Sequence, residues 1–192
     1  MHENPYECMV LPMKKRSTQG NFAFKEFQNH KCSFGGSGIK SNPKTARPIS
    51  TKDLMHVVLK SDLAKNQYRF IRFERELIAL LHKLALKLNI EVRDVVVMSN
   101  HIHLSLRAKS RRAFQNYLRS ISGLIARKVL GAQKNSPSAL KQFFKGRPFS
   151  RIVASGYKSF RALKTYFDLN RLEKCGFSKS ESRAWRLATA GP

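Results

Sequence analysis

Two apolar runs in the middle of the chain, separated by a polar dipeptide, place the tightest constraint on the fold. Residues 95–98 are apolar, a Ser-Asn dipeptide follows, and residues 101–106 alternate between polar and apolar. This pattern is typical of a strand, a tight turn and a second strand. Side chains two apart on a strand point to the same face, so His101 and His103 should project side by side. Two such imidazoles could share one metal ion or simply lie on a polar sheet face, and their spacing leaves both interpretations open.

Hydrophobic periodicity predicts the other elements of the fold. The predicted strands cover residues 54–60, 91–98, 101–107 and 148–155. The predicted helices cover residues 68–88, 110–130 and 159–172, and Ser110 should cap the second of them. The resulting order, β-α-β-β-α-β-α, is typical of the ferredoxin-like, split βαβ fold of the α+β class, with an antiparallel sheet that carries its helices on one face.

The charge of the chain indicates a polyanionic partner. The chain has 37 Lys and Arg against 12 Asp and Glu, a formal net charge of +25. Nucleic acid is the first candidate and an anionic membrane surface the second. No apolar stretch approaches the roughly 18 residues that cross a bilayer, and a signal-peptide pattern is missing. The three cysteines form no CxxC, which predicts reduced, unpaired thiols. We therefore expect a cytoplasmic, nucleoid-associated protein with no membrane partner.

Composition divides the chain into three parts. Residues 1–50 have little periodicity and contain basic, Gly-rich and Pro-rich patches, so we expect a basic, partly disordered arm. The arm could lie along nucleic-acid phosphates or serve only as a solubilising tail. Residues 51–177 contain all the predicted elements and form the expected folded domain. Residues 178–192 are expected to be a basic tail.

The third predicted helix carries a second candidate pair. Tyr166 and Asn170 are four residues apart and share a helix face, so a phenol and an amide oxygen could meet the histidines across the sheet. Spacing alone also allows Tyr166 to be a packed amphipathic residue. Asp168 should point elsewhere, to solvent or to a basic neighbour. His56, alone on the first strand, is interpreted as structural.

Three stretches carry a resemblance to a known family. Residues 96–104, VVMSNHIHL, resemble the xMPNHxHLL signature of HUH single-strand nucleases. Residues 146–153 and 163–170 are similar to the GRYFSxxV and LxYIxxNP segments of IS200-like Y1 transposases and, more closely, of their REP-associated tyrosine transposase relatives. Residues 46–52 are also similar, and the resemblance covers about residues 34–177. The departures, Ser99 for Pro, Arg171 for Pro and residues 175–177 for Ala-Gly-Leu, remove no chemical group that the reaction needs.

The resemblance implies a metal-dependent enzyme that cleaves and rejoins single-stranded DNA. Tyr166 would attack a phosphodiester, forming a 5′-phosphotyrosine and a free 3′-OH. His101, His103 and Asn170 would hold Mg²⁺ or Mn²⁺, which polarises the scissile phosphate. The family's substrates are foldback hairpins, so the partner would be single-stranded, hairpin-forming, REP-like DNA. The protein would act as a monomer or a homodimer.

Basic and aromatic residues near these motifs are candidates for DNA binding. Phosphates would be bound by Arg107, Lys109, Arg111, Arg112, Arg147 and Arg151. Phe149 and Tyr157 could stack on bases. Three alternatives remain: a catalytically degenerate transposase that only binds nucleic acid, an RRM-like module, and a ribosome-associated basic protein. The last would explain the charge but not the set of His, Tyr and Asn residues. An RRM-like module carries stacking aromatics on its sheet face, where this chain has His101 and His103.

Overall fold

The elements of the fold are taken from a computed structural model that describes residues 32–36, 46–131, 142–144 and 146–189. Most of the predicted N-terminal arm, residues 1–31 and 37–45, lies outside these ranges, as do residues 132–141, 145 and 190–192. The strands are β1 (Ser33–Phe34), β2 (Met55–Lys60), β3 (Ile90–Val97), β4 (His101–Ala108) and β5 (Phe149–Ile152). The helices are α1 (Glu74–Lys87), α2 (Arg111–Leu130), α3 (Tyr157–Lys174) and α4 (Lys179–Thr189).

All five strands form one antiparallel sheet with the order β1-β5-β2-β4-β3. The four longer strands have the order β5-β2-β4-β3, which is the split βαβ arrangement. The predicted α+β, ferredoxin-like fold is therefore confirmed. β5 is shorter than the strand predicted over 148–155, because Pro148 has no N–H for the ladder and Gly156 turns the chain into α3 with a φ of 141°.

The main core lies between one face of the sheet and helices α1 and α2. Alternate residues of the central strands face this core, among them Val57 of β2 and Leu104 of β4, and both are fully buried. The apolar stripe of α2 packs against them. Tyr117 of α2 also donates its hydroxyl to the carbonyl oxygen of Leu81 in α1, at 3.1 Å, which links the two helices inside the core.

The start of α2 and the end of α1 follow from local sequence. Ser110 caps α2 as predicted, since its Oγ accepts a hydrogen bond from the Ala113 N–H at 3.1 Å. Asn89 ends α1 in the left-handed region, with a φ of 54°. The start of α1 differs from the prediction, because two 3₁₀ turns occupy residues 66–73. There the N–H of Phe70 donates to the carbonyl of Ser99 in the β3–β4 turn instead of to a helical partner.

Helix α3 lies on the opposite face of the sheet, whereas the sequence pattern placed all helices on one face. A second, small cluster of buried residues holds it there and consists of Val96, Val153, Leu163 and Phe167. Two ion pairs add to this contact, from Arg171 to Asp94 of β3 and from Lys174 to Glu74 of α1. Periodicity found the helix, but it could not tell which face of the sheet the helix covers.

Helix α4 was not predicted, because residues 178–192 looked like a polar tail. Its start contains a reciprocal capping box that is visible in the sequence as S-x-x-E. The N–H of Ser178 donates to Glu181 Oε2 at 2.7 Å, and the N–H of Glu181 donates to Ser178 Oγ at 3.3 Å. Asp168 of α3 pairs with Arg171 and, at 3.7 Å, with Arg186 of α4, which agrees with its predicted role as a partner of basic residues. The division of the chain into arm, folded domain and tail stays a prediction.

Two further expectations concern the membrane and the cysteines. None of the helices in the described part of the chain is long and apolar enough to cross a bilayer. Cys32 is a free thiol, but Cys175 is disulfide-bonded. The expectation of unpaired thiols is therefore wrong at Cys175.

The docking of α3 can be tested by removing its most buried aromatic side chain. Phe167 is 1% exposed, so Phe167→Ala should lower the free energy of unfolding by about 3–5 kcal/mol through lost burial and a new cavity. Leu86 on α1 is 82% exposed, and Leu86→Ala should change the free energy of unfolding by less than about 0.5 kcal/mol. Urea denaturation measures both, and equal effects of the two variants would contradict the assigned packing.

Candidate active site

The two predicted histidines lie side by side on the face of the sheet that α3 covers. The ring centroids of His101 and His103 are 4.6 Å apart, and both side chains are buried. Their register explains this, because His103 pairs with Val58 of β2 and with Val96 of β3, on the face opposite the main core. The predicted strand–turn–strand therefore presents both imidazoles as expected.

Tyr166 of α3 lies close to His103 on this face of the sheet. Its ring centroid lies 5.2 Å from that of His103 and 5.5 Å from that of His56. Phe167, the next residue, anchors the helix in the small cluster beneath. Sheet pairing and the position of α3 thus bring Tyr166 and the histidine pair together, although more than sixty residues separate them in the chain.

His56 belongs to this group, although its sequence context suggested a structural role. Its Nε2 lies 3.2 Å from Nδ1 of His103, and its side chain is buried. Pairing of β2 with β4 places His56 opposite Ser105, one diagonal step from His103. A single strand histidine carries no signal for this position, because the register between β2 and β4 is set by the whole sheet.

Arg151, which the sequence analysis predicted to bind DNA phosphates, lies inside the site. It is opposite His56 in the pairing of β2 with β5, and its Nε donates to Nδ1 of His56 at 3.4 Å. The Arg151 side chain is buried. Its positive charge therefore lies within the group of histidines and Tyr166, where it can act on the reacting groups directly.

The hydrogen bonds fix which ring nitrogens carry protons. Arg151 can only donate, so Nδ1 of His56 is an acceptor and its Nε2 carries the proton. His56 then donates to Nδ1 of His103, which leaves the proton of His103 on Nε2. This Nε2 is buried and has no hydrogen-bond partner among the described residues. In His101, Nδ1 donates to Asn100 Oδ1 at 2.8 Å, so the lone pair is on Nε2.

Burial keeps these imidazoles neutral. Burial, and then the charge of Arg151, lower the pKa of His56 to about 3. Burial, and then the charge of Lys60, lower the pKa of His101 to about 4. The pKa of His103 is well below its ordinary value, because of burial and then the neighbouring His101 and His56. Neutral imidazoles are the form that binds metal ions.

Asn170 is held close to Tyr166. Its Nδ2 donates to the backbone carbonyl of Tyr166 at 2.7 Å, and its side chain also hydrogen-bonds the Tyr166 phenol. Burial raises the pKa of Tyr166, while Asn170 and the charge of Arg151 act in the opposite direction. Asn170 therefore lies beside the tyrosine, as expected from their four-residue spacing.

The residues fit a divalent metal ion in the type of donor that they offer. Two neutral imidazoles face one another, the orphaned Nε2 of His103 is buried, and the amide oxygen of Asn170 is a hard donor of the kind that Mg²⁺ and Mn²⁺ accept. Binding through Nε2 of His103 would require His103 and His56 to exchange tautomers, which would put a proton on Nδ1 of His56 and break its hydrogen bond from Arg151. Among the described residues, no group of three or more His, Cys, Asp and Glu could hold a metal, so the amide would have to complete the set.

The remaining predicted DNA-binding residues fall in separate places. Lys109, Arg111 and Arg112 are exposed at the start of α2, at the opposite end of β4 from His101, which is about 23 Å along the strand. Arg107 is on the same face as the histidines, and its buried Nε has no partner in the described ranges. Arg147 is exposed before β5. The sequence cluster 107–112 thus lies away from the histidine pair.

The two predicted stacking residues also differ in placement. The ring centroid of Phe149 lies 6.2 Å from that of His56, at the edge of the site. Tyr157 is 74% exposed in the first turn of α3. Only Tyr157 is therefore open to a base in the structure as it stands.

Comparison with known proteins identifies the family. The sequence profile described as "Transposase IS200 like" matches residues 51–168, more than half of the chain and the segment from β2 to α3. The chain therefore belongs to the IS200-like transposase family. This confirms the resemblance seen in the sequence. None of the curated proteins compared with the chain matches it.

Two solved structures are similar to the fold. The first is a REP-associated tyrosine transposase bound to a REP hairpin, 15% identical, with a TM-score of 0.54 over 69% of this chain and 74% of that one. The second is a protein of Deinococcus radiodurans R1 provisionally assigned as a transposase, 16% identical, with a TM-score of 0.36 over 65% of this chain and 95% of that one. At 15% identity and a TM-score of 0.54, the similarity to the first structure shows a shared fold alone.

The buried histidines predict that acid destabilises the metal-free protein. His56 and His101 bind protons more weakly when folded than in the unfolded chain, where the pKa is 6.5. The unfolded chain therefore takes up protons first as the pH falls, and the free energy of unfolding should drop by about 2 kcal/mol for each histidine between pH 7 and pH 5.

Urea denaturation with EDTA at the two pH values measures this drop. His56→Gln should reduce it by about 2 kcal/mol. His82→Gln, which changes an exposed histidine of α1, is the matched control and should leave it unchanged. A pH dependence that is the same in wild type and His56→Gln would contradict the buried, neutral state of His56.

Proposed function

We propose that this protein is a transposase that cleaves and rejoins single-stranded DNA through a covalent bond to Tyr166. The observation that carries the proposal is the contact of Tyr166 with the paired imidazoles, 5.2 Å from His103 between ring centroids, inside the region that matches the family. A phenol, neutral imidazoles and a buried guanidinium around one point form a site for attack on a phosphodiester.

The chain's own groups supply the nucleophile and part of its activation. The Oη of Tyr166 forms a bond to the scissile phosphorus, and the bond from phosphorus to the 3′ oxygen breaks. The phenol loses its proton, and the departing strand gains one as its free 3′-OH. Arg151 and Asn170 favour the phenolate, because a positive charge and a donated hydrogen bond both stabilise developing negative charge. Attack by the 3′-OH on the phosphotyrosine reverses these steps, so rejoining needs no nucleotide cofactor.

Metal binding is the second part of the proposal. A Mg²⁺ or Mn²⁺ ion held by His101, His103 and Asn170 would polarise a non-bridging oxygen of the scissile phosphate. The protein contributes the geometry: His101 is oriented by Asn100, and His103 is oriented by His56. The hydrogen bond to Asn100 leaves the lone pair of His101 on Nε2, as outer-shell partners do in metal sites, whereas His103 would offer a lone pair on Nε2 only after the tautomer exchange with His56.

Hairpin-forming DNA is the proposed substrate. The structural neighbour with a TM-score of 0.54 is bound to a REP hairpin, and the chain carries a net charge of +25 that suits a polyanion. Arg107 lies on the catalytic face further along β4, and Tyr157 is an exposed ring on α3. These groups could bind phosphates and stack on unpaired bases near the reacting strand.

The nucleophile can be tested with labelled hairpin oligonucleotides and Mg²⁺ or Mn²⁺ on denaturing gels. We expect the wild type to nick the strand and to form a covalent protein–DNA adduct. Tyr166→Phe should lose both products to the limit of detection, because it removes the only atom that bonds to phosphorus. Tyr68→Phe, a matched change in the core on the other side of the sheet, should keep both.

The outcomes distinguish the alternatives. Normal adduct formation by Tyr166→Phe would exclude it as the nucleophile, and loss of the adduct in Tyr157→Phe instead would point to the other tyrosine of α3. Binding without any adduct by the wild type would identify a degenerate transposase that only binds DNA.

Metal dependence is tested through Mn²⁺ binding, followed by electron paramagnetic resonance. Outer-shell changes usually cost ten- to hundredfold in affinity, so removal of a direct ligand in His101→Ala should cost about hundredfold or more. His82→Ala is the exposed control and should bind Mn²⁺ as the wild type does. Equal Mn²⁺ affinity of His101→Ala and wild type would exclude His101 as a ligand.

A further inference from the structure

His56 lies at the centre of the catalytic face, although it is neither the nucleophile nor a proposed metal ligand. Its strand, β2, pairs with both β4 and β5, which places His56 between His103 and Arg151. Nε of Arg151 donates to Nδ1 of His56 at 3.4 Å, and Nε2 of His56 lies 3.2 Å from Nδ1 of His103. Arg151, His56 and His103 therefore form a hydrogen-bonded chain across three strands, which we call the relay.

The relay is enclosed by the protein. Arg151, His56 and His103 are each 8% exposed or less. The ring centroids of Tyr166 and Phe167 on α3 lie 5.5 Å and 5.6 Å from that of His56. A buried polar group loses free energy when it has no hydrogen-bond partner, so a change at one end of the relay affects the other end.

The direction of the hydrogen bonds leaves His103 in a tautomer that cannot bind metal through Nε2. A guanidinium only donates, so each imidazole of the relay accepts at Nδ1 and carries its proton on Nε2. A metal ligand needs a lone pair on Nε2 of His103, and this requires both rings to carry their protons on Nδ1 instead. The Nδ1–H of His56 would then face the N–H of Arg151, and two donors cannot bond to each other.

Arg151 must therefore leave His56 when the tautomers change, and a DNA phosphate is a suitable new partner. Burial lowers the pKa of Arg151 to about 10, while Tyr166 acts in the opposite direction, so Arg151 is charged at neutral pH and lies close to the phenol. The scissile phosphate is bonded to Oη of Tyr166 during the reaction, which brings anionic oxygens near this guanidinium. A guanidinium binds two phosphate oxygens at once, whereas a neutral imidazole does not balance its charge.

We propose that His56 is a positioning residue that couples the metal site to Arg151. Without ligands, Arg151 and His56 hold His103 in the tautomer with its proton on Nε2. A DNA phosphate beside Tyr166 draws Arg151 away, so that His56 and His103 can both carry their protons on Nδ1. No proton is gained or lost overall, because the proton between the rings passes to His103 and the proton of its Nε2 ends on His56. Metal ion and DNA then strengthen the binding of each other by the same factor. The inference rests on the proposed function, in which one site binds both.

The tautomers can be observed by ¹⁵N nuclear magnetic resonance of the histidine side chains at neutral pH. Tyr166→Phe prevents cleavage in these samples, and His103→Ala assigns the signals. Without ligands, His103 should carry its proton on Nε2. With Mg²⁺ and a hairpin oligonucleotide that has a single-stranded extension, it should carry the proton on Nδ1. A proton on Nδ1 without ligands, or on Nε2 with both ligands, would overturn the relay.

The Mn²⁺ affinity without DNA, measured by electron paramagnetic resonance, separates the relay from simple orientation of His103. His56→Phe keeps a ring but removes both hydrogen bonds, so the Mn²⁺ affinity should rise about fivefold or more. His56→Gln keeps an amide that can accept from Arg151 and donate to His103, and should stay within about twofold of the wild type. Loss of a partner that only orients a ligand has the opposite effect and weakens metal binding about ten- to hundredfold.

The coupling itself is measured as the gain in hairpin affinity when Mn²⁺ replaces EDTA at constant ionic strength, by fluorescence anisotropy. All proteins carry Tyr166→Phe. The gain should be at least about fivefold smaller with His56→Phe, since only the direct attraction of the ion for the phosphate is left. His82→Phe changes an exposed histidine of α1 and is the matched control, with an unchanged gain expected. An equal gain with and without His56→Phe would contradict the coupling.

Failure of the relay and failure of the proposed function give different results. Weaker Mn²⁺ binding by His56→Phe, with a normal Tyr166 adduct in the wild type, would overturn the relay and leave the proposed function standing. An absent adduct with the expected change of the His103 tautomer would support the relay and count against cleavage. Circular dichroism checks the folding of His56→Phe, and if this variant does not fold, the tautomers of His103 in the chain that keeps His56 decide the question.

Discussion

The pairing of β2 with both β4 and β5 is the interaction on which the site depends. Alternate residues of this central strand face opposite ways, so Val57 fills the main core while His56 lies next to His103 and Arg151. A shift of the register by one residue would exchange the two sets and bury imidazoles in the apolar core. The hydrophobic side of β2 therefore fixes the position of the polar groups on its other side.

The second requirement is the docking of α3, which delivers Tyr166 to the paired strands. The small cluster around Phe167 provides the apolar part of this contact, and the ion pairs of Arg171 and Lys174 provide the rest. The contact is much smaller than the main core, although the position of Tyr166 depends on it. Acidic residues are few in this chain, and Asp94 and Asp168 are both engaged with arginines on α3.

The same sheet separates two kinds of basic residue. Arg151 is buried against His56 on the face that carries Tyr166, while Arg147 and its neighbours lie on the other face around Phe34. Alternation along β5 produces this division, since Ser150 and Arg151 point to opposite sides. Positive charge therefore lies on both faces of the sheet, and one guanidinium is buried beside the histidines.

The sequence by itself determined the local elements and the residues that carry a family signature. Periodicity predicted the four longer strands, three of the helices and the Ser110 cap, because these depend on neighbours within one or two turns, but it did not predict the short β1. The tertiary structure alone decided which face α3 covers, that His56 joins the histidine pair, and that Arg151 is buried against His56. Each of these depends on strand register or helix docking, which arise from contacts between residues far apart in the chain and leave no pattern around any one of them.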